Sequence, residues 1–145
     1  MQLWTAFLRA HRALTAALEA ELRVAADMAL DEYDVLTQVR QRGAMRMSEL
    51  ADLVLISRPS TTRVVDRLVQ RGWLRRAQDE IDRRVVLVKL TPAGQRAQVV
   101  AEQRHLAGVN LWVGKPLADH DVGALRQALE ALAPSVCSGN DRSAP

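Results

Sequence analysis

Apolar side chains recur along most of this chain at intervals of three and four. Trp4, Phe7, Leu8, His11, Leu14, Leu18 and Leu22 form one stripe, which predicts a long first helix. A second helix opens at Leu30-Asp31-Glu32-Tyr33-Asp34, with Asp31 as its expected N-cap, continues through Val35, Leu36 and Val39, and ends at Gly43. Ser48 is expected to cap a short third helix carrying Leu50, Ala51, Leu53 and Val54. Ser57 caps a fourth, with Pro59 in the first turn, where a missing N–H costs little, and Gly72 closes it. The pattern then changes. Residues 73–77 and 85–90 are β-prone runs separated by the polar segment 78–84, which predicts a hairpin with a long charged loop. Thr91-Pro92 is an N-cap followed by proline, opening a long helix with Val99, Val100, Leu106 and Val109. Val122, Leu125, Leu129, Leu132 and Val136, spaced 3-4-3-4, predict a last helix, and residues 135–145 a polar, disordered tail.

The 145 residues suit one domain, or two small lobes sharing a core, and 48% apolar content is enough to fill it. The single cysteine, Cys137, permits no disulfide within the chain, which fits a reducing compartment. The amphipathic N-terminus lacks a signal peptide's apolar core, and no apolar run approaches membrane-spanning length. These features point to a cytoplasmic protein with no membrane partner.

Charge placement adds more than its sum. Between Ser57 and Leu90 stand nine basic residues and four acidic ones, a balance of +5, whereas the whole chain is only +3. Positive charge is therefore concentrated on the fourth helix and the charged hairpin, which with the short third helix before them make the plan of a winged helix-turn-helix that binds phosphate. The fourth helix has an apolar face of Thr61, Val64, Val65 and Leu68, and an opposite face of Arg58, Ser60, Thr62, Arg63, Arg67 and Arg71. Arg83 and Arg84 at the loop tip suit the narrow, strongly negative minor groove of DNA. Asp66 and Asp82 are expected to position the wing. A winged-helix adaptor that meets a protein instead of DNA is the competing reading, and nucleic-acid affinity separates the two.

The segment "MSELADLVLISRPSTTRVVDRLVQRGWLRR" with "DEIDRRVVLVKLTPAG" resembles the MarR family, the multiple-antibiotic-resistance regulators. Asp82, Arg84, Leu90, Thr91 and Gly94 meet that family's D-x-R-x5-L-T-x-x-G pattern, and the resemblance runs from about Trp4 to Pro134. It implies a mostly α fold, a winged helix-turn-helix with flanking N- and C-terminal dimerisation helices. The helices of two chains would intertwine and each chain would present one DNA-binding lobe. The corresponding divisions are residues 1–30, 31–92, 93–134 and the tail 135–145. Arg84 matches the wing arginine that enters the minor groove, and Ser60, Thr62 and Arg63 match positions near bases and phosphates. Pro59 and Thr61 depart from the residues commoner there. The expected DNA-facing set is Ser48, Ser57, Arg58, Pro59, Ser60, Thr62, Arg63, Arg67, Arg83 and Arg84. Leu125, Leu129 and Leu132 would be exposed on a monomer, which independently favours a homodimer. The function implied is an effector-responsive repressor acting as a homodimer on an inverted repeat of double-stranded DNA.

The chain holds no phosphate-binding glycine loop, nucleophile elbow or HExxH, so no enzyme is expected. His105 and His120 with Asp119 and Asp121 fit no common metal spacing, and no metal or cofactor is expected. Nothing near Cys137 marks a lowered thiol pKa. Trp4, Leu8 and His11 on the first helix, with Tyr33 and Asp34 on the second, are the expected walls of a site for a small aromatic or phenolic carboxylate effector; the competing reading places Trp4 and His11 in a dimer core.

Overall fold

A computed structural model describes residues 1–139, with side chains as far as residue 131. The chain divides into two compact units, residues 1–109 and 110–145. The first unit runs α1 (Gln2–Ala26), α2 (Leu30–Arg42), β1 (Met45–Arg46), α3 (Met47–Leu53), α4 (Arg58–Gln70), β2 (Leu74–Gln78), β3 (Val86–Leu90) and α5 (Pro92–Val109). The second holds a π-helical turn, Asn110–Gly114, and α6 (Val122–Gly139). The helix thus enters the stretch expected to be a tail from Ser135. Residues 140–145 and the Cys137 side chain lie outside what is described.

The core is built by α2, α3 and α4 around one side of the small sheet. Val35, Leu36 and Val39 of α2 meet Leu50 of α3, Val64, Val65 and Leu68 of α4, and Leu74 and Val88 of the hairpin. Burying each leucine contributes about 1.5–3 kcal/mol. The hairpin strands pair antiparallel with Leu74 opposite Leu90 and Gln78 opposite Val86. The two-residue β1 joins on the other side of β3, Met45 opposite Val88, giving the order β1-β3-β2. That strand carries no periodic signal of its own, being defined by what it pairs with. α5 packs on α1 and α2. It buries Gly94, Gln98, Ala101 and Gly108 rather than its larger apolar residues, leaving Val100 and Leu106 exposed. Fully buried Gln98 is satisfied by accepting from Arg40 at 2.6 Å and donating to Thr37 at 3.2 Å.

Two expected caps are corrected. α2 begins two residues earlier than Asp31 would place it, with Ala29 as its N-cap, because the Glu32 carboxylate accepts the Ala29 backbone N–H at 2.9 Å. At α3 the Glu49 carboxylate takes the Arg46 backbone N–H at 2.9 Å, so Ser48 lies inside the first turn. In both cases the third-residue glutamate does the capping without a serine or threonine partner. Ser57 is the N-cap of α4, its hydroxyl accepting the Ser60 N–H at 3.4 Å. Thr91 ties α5 to the base of the hairpin. Its hydroxyl accepts the Gly94 N–H at 3.0 Å and donates to the Gly72 carbonyl at 2.7 Å. Gly94 is required there, since a Cβ would fall 2.0 Å from the Trp73 carbonyl oxygen. No described helix is long and apolar enough to cross a membrane.

Candidate functional site

α4 rests on the core through Thr61, Val64, Val65 and Leu68, which turns the opposite face outward. Pro59, Thr62 and Arg63 are exposed on that face, and Ser60 is half-buried beside the Ser57 hydroxyl at 2.9 Å. Thr62 spends its hydroxyl hydrogen on the Arg58 carbonyl at 3.3 Å, leaving lone pairs free. Ser48 is exposed at the start of α3.

The nine basic residues between Ser57 and Leu90 separate into two groups. Arg58 pairs with Asp52 on α3, both largely exposed. Arg67 reaches back to Asp31 at 3.2 Å and Glu32 at 3.4 Å. Arg71 binds the Asp27 carbonyl at 2.8 Å, the Asp27 and Glu32 carboxylates at 3.2 Å each, and lies 3.7 Å over the Trp73 ring. Arg76 of β2 pairs with Asp66 at 2.6 Å. Among the described residues, Arg63, Arg75, Arg83, Arg84 and Lys89 have no acidic partner within salt-bridge distance. Arg67, expected on the DNA face, is thus committed to α2. Asp66 holds Arg76, an arginine of the β2 strand.

Two aspartates shape the wing tip. The Asp79 carboxylate accepts the backbone N–H of Ile81 at 2.8 Å and of Asp82 at 3.0 Å. Asp82 in turn accepts the N–H of Arg84 at 3.0 Å, and Val85 donates to the Asp82 carbonyl at 2.9 Å. Those hydrogen bonds hold the Asp79 carboxyl below its ordinary pKa, with Arg46 and Lys89 adding to the effect. The result is a closed loop carrying Arg83 and Arg84 exposed at its end. Asp79 was missed in the sequence, though an aspartate opening a polar loop is a known turn signal.

A cleft of about 1220 Å³ opens between α1, α2, α4 and α5, lined wholly by residues of the first unit. Of the five residues expected at an effector site, His11, Tyr33 and Asp34 line it. Trp4 and Leu8 do not, and both are exposed. Asp34 serves the fold, accepting from the Leu55 N–H at 3.1 Å and from Gln38 at 3.3 Å. Tyr33 packs against His105, ring centroids 4.5 Å apart. Burial pushes the Tyr33 phenol up and the His105 imidazole down, favouring the neutral form of both rings. Asp31, Glu32 and His105 were not anticipated as cleft residues. Among the described residues no group of histidine, cysteine, aspartate and glutamate is arranged to hold a metal ion.

The MarR family profile matches residues 29–86, from the start of α2 to the start of β3. The multiple antibiotic resistance protein MarR of Salmonella typhimurium is 31% identical over 108 residues, covering 74% of this chain and 75% of that protein. Among solved structures, AbsC, a MarR family transcriptional regulator from Streptomyces coelicolor, superimposes with a TM-score of 0.85 at 27% identity, over 94% of this chain and 93% of that one. Sco3205, a second MarR family regulator from the same organism solved in complex with DNA, gives 0.81 at 26% identity, over 98% and 91%. These relatives are transcriptional regulators, not enzymes. With the fold, the motif and the family profile in agreement, this chain belongs to the MarR family of transcriptional regulators.

Proposed function

We propose that this protein is a repressor that binds double-stranded DNA as a homodimer on an inverted repeat and lets go when a small molecule enters the cleft. The observation that carries the DNA reading is the set of unpaired cations, Arg63 on the exposed face of α4 and Arg83 and Arg84 at the wing tip, in a module with few free carboxylates. Arg84 would enter the minor groove, and Ser57, Pro59, Ser60, Thr62 and Arg63 would face the major groove and its phosphates. Arg58 can exchange its exposed partner Asp52 for a phosphate, and Ser48 sits at the start of the preceding helix. The DNA complex of the similar regulator Sco3205 supports this reading. Support for a homodimer comes from apolar side chains left exposed within each unit, Trp4, Phe7 and Leu8 on α1 and Val122, Leu125 and Leu129 on α6.

In vitro selection of DNA on the pure protein tests the DNA-binding and dimer parts of this reading. The expected product is an inverted repeat with half-sites about one helical turn, roughly 10 bp, apart. Sedimentation should show a dimer at micromolar concentration. A single unrepeated half-site, a monomer, or no selected sequence would overturn it.

A further inference from the structure

The cleft is acidic, and its arginines are already spoken for. Its lining carries five carboxylates, Glu19, Asp27, Asp31, Glu32 and Asp34, against three guanidiniums, a balance of −2. Arg23 is held by Glu19 at 3.4 Å, Arg67 by Asp31 and Glu32, and Arg71 by Asp27 and Glu32. A carboxylate entering here meets no free cation and an unfavourable field. Two occluded polar atoms in the lining point the same way. Asp31 Oδ1 and His105 Nδ1 are out of contact with solvent and have no hydrogen-bond partner. An unsatisfied buried acceptor is a standing cost that only a donor can relieve. Asp31 Oδ1 needs a hydrogen-bond donor, which an ionised carboxylate group cannot be. The Tyr33–His105 pair beside it offers a flat aromatic wall.

We propose that the cleft takes a flat organic cation rich in N–H donors, of the amidinium or aryl-amine class, which competes with Arg67 and Arg71 for the carboxylates of Asp27, Asp31 and Glu32. This deepens the effector reading above and rests on it; it replaces the carboxylate ligand expected from the sequence. The same competition supplies the coupling to DNA. Arg67 and Arg71 lie in the last turns of α4, and their carboxylate partners lie at the α1–α2 junction and the start of α2. A cation that captures those carboxylates frees the C-terminal half of α4 from α2, and the recognition surface at its other end loses its fixed placement. Linkage requires the reverse as well: bound DNA must weaken cation binding by the same factor, which for ordinary allosteric coupling is about 5–150-fold.

Benzamidinium and benzoate share a flat ring and differ in the sign of charge, so calorimetry of each with the DNA-free full chain reads the ligand class. Benzamidinium should bind at least about tenfold tighter and should weaken binding of the selected DNA. Asp31→Asn should weaken benzamidinium binding. Arg67→Ala should tighten it by removing the competitor, an effect of opposite sign that a merely structural role does not produce. Circular dichroism checks the fold of both variants, and if Arg67→Ala fails it, the near-isosteric Asp31→Asn decides. Tighter binding of benzoate, with release of DNA, would overturn the cation while leaving an effector site in place. Binding of neither probe overturns the cation proposal, and the effector reading falls separately if a broad screen of neutral and anionic aromatics also releases no DNA.

Discussion

The two halves of α4 carry the same residue type and use it in different ways. Toward the N-terminus, Arg63 stands exposed with no acidic partner, alongside Ser60 and Thr62. Toward the C-terminus, Arg67 and Arg71 fold back onto Asp27, Asp31 and the buried Glu32. The wing repeats the division: Arg76 in the strand is held by Asp66, and Arg83 and Arg84 at the tip are free. Apart from Arg58, whose partner Asp52 is largely exposed, the paired arginines fix the position of the element they belong to, and the unpaired ones are left for a partner. A +5 segment therefore presents fewer cations to DNA than a count suggests.

The largest expected effect separates these groups by stability. Glu32 is 3% exposed and receives Arg67, Arg71 and the Ala29 N–H. Glu32→Ala would take one carboxylate from each of two guanidiniums, leaving Arg67 with Asp31 and Arg71 with Asp27, and would uncap α2, costing about 3 kcal/mol in denaturant unfolding. Arg84→Ala should stay within about 0.5 kcal/mol of the parent. Equal losses from the two would erase the distinction.

DNA affinity should show the reverse order. Arg84→Ala is expected to weaken binding to the selected site by about 1–3 kcal/mol, more at A·T-rich flanks. The exposed Asp66–Arg76 pair contributes only about 0.2–1 kcal/mol to stability. Asp66→Ala should therefore weaken DNA binding modestly, through a less fixed wing; tighter binding would mean that Asp66 acts only by repelling phosphate.

The smallest effect is a pH response confined to the wing tip. The Asp79 carboxyl is held below its ordinary pKa by the Ile81 and Asp82 N–H groups, so its contribution to the folded loop is fully present above about pH 3.8 and fades as pH falls below it. Protection factors at Ile81 and Asp82, taken against the unfolded-chain exchange rate at each pH, should fall in that range while core amides such as that of Leu36 stay protected. Protection at the tip that is unchanged through that range would remove Asp79 from this role.

Much of this architecture is written in local signals. Ser57 and Thr91 cap the helices they precede, Gly72 ends α4 with φ at 70°, and the β-prone runs on either side of the charged loop pair as a hairpin. Where the reading missed, the deciding partner was either the wrong neighbour or far away in sequence. Asp31 and Ser48 lost their capping roles to the adjacent Glu32 and Glu49, because a glutamate at the third position caps the helix by reaching back to the backbone N–H of the residue before it, here Ala29 and Arg46. β1 exists only through its pairing with β3. The arginine clamps join residues 35 to 44 positions apart, and no periodicity reports that Arg67 faces α2 while Arg63 faces outward. Trp4 and Leu8 share a stripe with His11, yet the cleft begins only at His11, one turn further along α1.

The salt dependence of affinity for the selected DNA tests the division of arginines most directly. Each phosphate neutralised adds roughly 0.9 to the slope of log affinity against log salt. Arg63→Ala and Arg83→Ala should each lower that slope by about one unit. Arg67→Gln, which keeps a hydrogen-bonding side chain against Asp31 and Glu32, should leave it unchanged. A slope that falls equally for all three would show Arg67 on the phosphate backbone and would contradict the account.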